Sequence, residues 1–164
     1  MALIIRRPEP PDALRIAVIC SEGWRQTVRD TMSESYQHAT ISFWYKEDKV
    51  IQGIKSGSYS YVAEMDGSVV GVIGGGMAAA GTSEVFIFYV DAGFRYQGIG
   101  KALLGPLTED HIKKGAVEQW VSVQEGNDYG QPFYEARGFQ YQFPKKTKTA
   151  TGEVQVSLRF KREL

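Results

Sequence analysis

The chain has 164 residues, 43% hydrophobic and 12% aromatic, which suits a single domain over residues 1–164 with a real buried core. Nineteen basic residues balance nineteen acidic ones, so no global field draws nucleic acid or an anionic membrane, and any anion site must be local. The lone Cys20 cannot form an intramolecular disulfide, and no apolar run approaches a signal sequence or a membrane span, so a cytoplasmic protein with a buried thiol is expected.

Residues 3–6 (LIIR) read as a short strand that PEPPD ends, its Pro and Asp opening a helix over about 12–28. Leu14, Ala17, Val18, Ser21, Trp24 and Val28 share one face of that helix. The polar stretch RDTMSESYQHATIS has no clear period and reads as loop with at most a helical turn. A second helix is expected over 43–55, capped by Ser42, with Phe43, Val50, Ile51 and Ile54 on one face and Gly57 at its end. From Ser58 the period becomes two: SYSYVAEM and SVVGVIGGGMAA flank Asp66-Gly67, a tight-hairpin signature. Gly74, Gly75 and Gly76 predict a bulge or a surface kept clear of side chains. EVFIFYV (84–90) is a third strand, and residues 98–114 form a helix in which Pro106, after Gly105, predicts a kink or break. VEQWVSVQ (117–124) is a strand and QPFYEARGF (131–139) a short helix. FQYQF and VQVSLRF are final strands joined by PKKTKTATGE. The result is an α+β chain with one mixed sheet of about seven strands flanked by helices.

Between the third strand and its helix stands RYQGIGKALL (95–104). A phosphate-binding G-x-x-x-x-G-K-[ST] loop is excluded, because Phe94 replaces its first Gly and Ala102 follows Lys101. A dinucleotide G-x-G-x-x-G fits Gly98 and Gly100 but has Leu103 at the third glycine; it stays as an alternative, with Glu125 as its ribose ligand. At a helix start the amides of Gln97, Gly98, Ile99, Gly100 and Lys101 lack intrahelical partners and carry the positive end of the dipole. Two glycines keep Cβ atoms away from a diphosphate, and Arg95 and Lys101 suit an anion there. A solvated basic turn is the other reading.

R-x-x-G-x-G at 95–100 after a strand, Asn127, and then F-Y-x-x-x-G-F at 133–139 resemble the GCN5-related N-acetyltransferase (GNAT) superfamily. The resemblance spans residues 84–139 most specifically, and more weakly the whole element order. It implies the GNAT fold, mostly antiparallel, with a splayed parallel pair in the centre formed by the strands at 84–90 and 117–124. It implies acetyl coenzyme A (acetyl-CoA) as co-substrate, its pyrophosphate on Arg95 and the amides of Gln97 to Lys101, with Asn127 beside the cofactor arm. A backbone amide of Tyr89 or Val90 is expected to hold the oxyanion, and Tyr134 to protonate the leaving thiolate. Glu84, eleven positions before Arg95, stands where many members carry a base or substrate anchor.

The implied activity is direct acetyl transfer to a primary amine, a small amine or polyamine favoured. The alternatives are a peptide N-terminus as acceptor, or a non-catalytic acyl-CoA sensor. Trp24, Tyr36, Phe43, Trp44 and Tyr45 are candidates for an aromatic acceptor wall around an ammonium. Lys145, Lys146 and Lys148 read as a solvated charged loop. His38 and His111 have no ligand spacing, so no metal is proposed. A homodimer is left open.

Overall fold

Asp66 and Gly67 take φ of 52° and 79°, the two left-handed residues of a tight hairpin turn, and Met65 pairs with Ser68 across it. This joins β2 (Tyr61–Met65) to β3 (Ser68–Ala79). The computed structural model describes residues 2–164. Its other strands are β1 (Leu3–Arg6), β4 (Thr82–Val90), β5 (Glu118–Gln124), β6 (Gln140–Lys148) and β7 (Val154–Glu163). All seven form one sheet in the order β1-β2-β3-β4-β5-β7-β6, antiparallel except for the central pair β4–β5.

The helices are α1 (Ala13–Val28), α2 (Glu34–Trp44), α3 (Glu47–Ser56), α4 (Ile99–Lys113) and α5 (Gly130–Glu135). On one face of the sheet, Leu103 and Leu107 of α4 and Tyr134 of α5 pack with Val85, Val121, Phe139 and Phe160. On the other, Ile16, Ile19 and Cys20 of α1 and Val50 of α3 pack on Val62, Val69 and Val72. Each such side chain contributes about 1.5–3 kcal/mol on burial, and the lone thiol is part of this core.

Five expectations change. The stretch read as loop is α2, because Ser33 caps it by accepting from the Tyr36 amide; the hydroxyl-rich sequence hid a helix whose anchor is a cap instead of an apolar stripe. The second helix is consequently α3, starting at Glu47 after Lys46, so Ser42 caps nothing and Phe43 is 54% exposed at the end of α2. The buried face of α1 runs through Ile16, Cys20 and Trp24, while Leu14 and Val18 are exposed. Helix α4 continues through Pro106 without a break. A residue before proline resists helical geometry because its Cβ meets the proline ring, and Gly105 has no Cβ. The lysines 145, 146 and 148 lie on edge strand β6, not in a loop.

The glycines of β3 do what their spacing implies. A Cβ on Gly74 would come within 2.0 Å of the Ser58 carbonyl oxygen, and one on Gly75 within 2.3 Å of that of Glu84. Gly75 pairs with Val85 and Gly74 with Ile87, so Phe86 is an extra, bulged residue of β4.

Candidate active site

The bulge at Phe86 bends β4 away from its parallel neighbour. Pairing between β4 and β5 covers only Thr82–Val85 against Glu118–Val121, after which the strands diverge into a V. The splay expected between them is therefore present. Antiparallel pairing alternates residues whose backbone groups face the partner with residues whose groups face away. Asp91 donates to the Val70 carbonyl, and the Ile73 carbonyl is taken by Ser60 on the other side, which sets that alternation. Phe88 and Val90 thus turn their amides into the V, while the Tyr89 amide faces β3. Of the two residues expected to supply an oxyanion amide, Val90 has the required direction and Tyr89 does not; Phe88 joins it. The ring of Tyr89 packs instead on α1, where a Cβ at Gly23 would meet it at 2.3 Å, and against Tyr45.

Beyond β4, the Asp91 carboxylate accepts from the Gly93 amide at 2.9 Å and pairs with Arg15 of α1, which fixes the loop leading to α4. Gly98 sits at the helix cap with φ 80°, a left-handed conformation that a Cβ disfavours by about 1–2 kcal/mol. Ala102 donates to the Gly98 carbonyl, and among the described residues no acceptor takes the amides of residues 97–101. Gly98 and Gly100 differ in purpose. A Cβ on Gly100 would lie 3.1 Å from the Phe133 ring and 3.5 Å from that of Phe88, so this glycine makes room for α5.

Arg95 reaches back to Gln26 of α1 and lies 4.2 Å over the Tyr129 ring. Tyr96, which sequence reasoning passed over, is 90% exposed with φ 63°, a strained conformation for an aromatic residue, and it faces Tyr129 at 6.5 Å. Lys101 is exposed on the first turn of α4. Asn127 uses its Oδ1 to accept from the amides of Tyr129 (3.1 Å) and Gly130 (3.0 Å), capping the approach to α5. Its Nδ2 makes no hydrogen bond among the described residues.

Tyr134 lies at the V with its ring against Phe88, Phe133 and Phe139. Burial pushes its phenol well above the ordinary value, so it holds its proton at neutral pH. Glu84 stands on β4 just before the divergence. Both its oxygens accept from Arg159 of β7, at 2.8 and 3.0 Å, and Arg159 also donates to Ser122 at 2.7 Å and lies 5.1 Å over Trp120. Arg159 carries no motif; only the β5–β7 register, which places it opposite Ser122, brings it here.

The five aromatic candidates divide. Trp24, Tyr36 and Tyr45 belong to one cluster with Tyr89, whereas Phe43 and Trp44 pair with each other in solvent. Tyr36 donates to Gln155 at 2.8 Å and Gln155 to Gln124 at 2.7 Å, so α2 is tied across to β7 and β5. Among the described residues, no group of three or more His, Cys, Asp or Glu could hold a metal ion, and no helix is long and apolar enough to cross a membrane.

The family model described as Acetyltransferase (GNAT) family matches residues 21–139. The chain belongs to the GNAT acetyltransferase family. A curated relative, the spermidine N(1)-acetyltransferase of Thermoplasma acidophilum, is 27% identical over 145 residues, 85% of this chain and 89% of its own. Among solved structures, the PaiA N-acetyltransferase of the same organism, in complex with coenzyme A, superposes with a TM-score of 0.83 at 22% identity over the whole of both chains. The ribosomal-protein-S18-alanine N-acetyltransferase of Escherichia coli superposes at 0.67 and 17% identity, over 99% of this chain and 94% of that one. These structures share the GNAT fold with this one, and its mixed seven-stranded sheet with a central parallel pair is the GNAT arrangement.

Proposed function

We propose that this GNAT protein transfers acetyl from acetyl-CoA directly to a primary amine. The observation that carries the reading is the V between β4 and β5 ending at α4, whose first-turn amides have no partner among the described residues. Those amides of Gln97 to Lys101 suit a pyrophosphate, and the outward amides of Phe88 and Val90 suit the amide groups of a pantetheine arm laid in as an added strand. Arg95, Lys101 and the free Nδ2 of Asn127 border the same path.

An alkylammonium with a pKa of about 10 must first lose a proton. The neutral nitrogen then attacks the thioester carbonyl, the C–S bond breaks, the thiolate takes a proton, and the nitrogen gives up its second proton, which restores the donor as the amide forms. Tyr134, whose phenol is protonated at neutral pH, is the donor; of the two amides turned into the V, those of Phe88 and Val90, one faces the developing oxyanion and the other is left to the pantetheine arm. Glu84 has both oxygens engaged by Arg159, so we assign it the bracing of the acceptor side of the V, with the ammonium proton leaving to water. Small amines and polyamines are the favoured acceptors, supported by the curated relative named for spermidine.

The test is thiol release from acetyl-CoA by the purified protein with spermidine, a simple monoamine, an amino acid and a short peptide with a free N-terminus. Amine-dependent release, with acetylated product by mass spectrometry, supports the reading and ranks the acceptors. Binding of coenzyme A without release by any of the four would make the protein a sensor. No binding at all would remove the site.

A further inference from the structure

At the end of β5 opposite the opening of the V, a cavity of about 470 Å³ lies between the middle of α4, the end of α5 and the last residues of β7. Two guanidinium groups, Arg137 and Arg162, line it. Arg162 donates to Gln119 Oε1, the Arg137 carbonyl and Thr108 Oγ1, each at 3.0 Å, and lies 4.6 Å over the Phe139 ring. Arg137 donates Nη1 to the Phe133 carbonyl at 2.9 Å and stacks 3.8 Å over the Phe133 ring. Every one of these partners is neutral.

Among the described residues neither arginine forms an ion pair, whereas Arg6, Arg7, Arg15 and Arg159 all do. Lys161, a third cation of the wall, already has Glu118 at 3.4 Å and Glu163 at 3.7 Å. Burial first, and the neighbouring Arg137 charge second, lower the Arg162 pKa. Among the described residues, Arg137 Nε is buried with no hydrogen-bond partner and its Nη2 has none either, so that guanidinium is under-used.

We propose that this cavity binds a small oxyanion, a phosphate or carboxylate group, between Arg137 and Arg162. Guanidinium forks match the planar or tetrahedral oxygens of such groups, and the cations of the lining, Arg137, Lys161 and Arg162, outnumber its carboxylates, those of Glu163 and the terminal Leu164. The site is separate from the α4 terminus, and the Arg137 stack on Phe133 lies between the two. Phe133, beneath Arg137, is the ring that occupies the space left by Gly100.

The test follows thermal unfolding of the protein saturated with coenzyme A, so that the α4 terminus is filled, in phosphate, in citrate and in sodium chloride of matched ionic strength. A saturable rise in Tm with phosphate or citrate over chloride is expected. It should be lost in Arg137→Gln and in Gln140→Glu, which adds a carboxylate at an exposed lining position and leaves the interior untouched. A rise with phosphate alone assigns a phosphoryl ligand, with citrate alone a carboxylate, with both the oxyanion itself. Equal midpoints in all three salts, or a rise in Gln140→Glu equal to that of the wild type, overturns the proposal. The coenzyme A response is read separately, so failure of the acetyltransferase reading shows there and not in the anion series.

Discussion

Replacing Glu84 by Gln separates a bracing carboxylate from a proton acceptor. Glu84 and Arg159 form a two-pronged pair, at 2.8 and 3.0 Å, with side chains only 19% and 15% exposed. Exposed pairs contribute about 0–1 kcal/mol, while breaking a buried pair by removing one charge costs about 3–5 kcal/mol. Gln retains one acceptor, and Arg159 keeps Ser122 and the Trp120 face, so a loss of about 1–3 kcal/mol is expected. For a chain of this size that lowers Tm by roughly 3–10 °C. Urea unfolding of Glu84→Gln, Arg159→Gln and the double variant should give a coupling energy of about 1 kcal/mol or more. The second readout is the pH dependence of kcat/KM. A brace predicts reduced turnover with the acidic limb of the wild-type profile intact. Loss of that limb, together with a coupling energy below about 0.5 kcal/mol, would refute the assignment and make Glu84 the proton acceptor.

Tyr134→Phe removes a hydroxyl that makes no hydrogen bond among the described residues, so its fold should hold; kcat is expected to fall by up to about a hundredfold with little change in KM for acetyl-CoA, and an unchanged kcat would exclude proton donation. Gly74→Ala drives a Cβ into the Ser58 backbone at 2.0 Å, beside the Ser60 to Ile73 hydrogen bond, and should cost about 3 kcal/mol or more in urea unfolding. His111 is buried, and burial with the nearby Lys114 charge lowers its pKa below the unfolded value of about 6.5. The unfolded chain therefore binds the proton more readily: this contribution to stability is complete above about pH 6.5 and is lost as pH falls below it, by at most about 1.4 kcal/mol per pH unit. Stability measured from pH 7.5 to 5 should fall less steeply in His111→Gln; equal slopes would exclude His111 as the source.

The turn at 95–100 and the bulge of β4 were legible because backbone chemistry writes them into local sequence: a glycine where φ is positive, glycines where strands crowd, a strand followed at once by a helix start; the V itself followed from the resemblance to the GNAT superfamily. The Asp66-Gly67 hairpin belongs to the same class. What stayed hidden depends on register or on distant partners. Arg159 meets Glu84 only because β7 returns antiparallel beside β5, and no spacing between residues 84 and 159 encodes that. Helix α2 was obscured because its start rests on one serine, itself held by Glu153 at 2.7 Å through both backbone and side chain, from the β6–β7 connection. Its burial is slight, so hydrophobic period carried no signal. The Phe133 to Gly100 contact was hidden for the opposite reason: both residues lie in recognisable motifs, each of which has a reading that ignores the other.

That contact bears on how the site works. The turn at 95–100 and the helix that carries Tyr134 are far apart in sequence, and they meet where the Phe133 ring fills the volume a side chain at position 100 would occupy. The same ring stands edge-on to Phe88, whose amide faces the V, and 5.4 Å from the Tyr134 ring. The turn at 97–101, the Phe88 strand and the Tyr134 ring, to which we assign phosphate grip, pantetheine path and thiolate protonation, thus meet in one packed aromatic group, in which a shift at any member displaces the others because dense cores transmit strain. A glycine at 100 is needed for that packing even before any ligand approaches, whereas the glycine at 98 is needed for the turn itself.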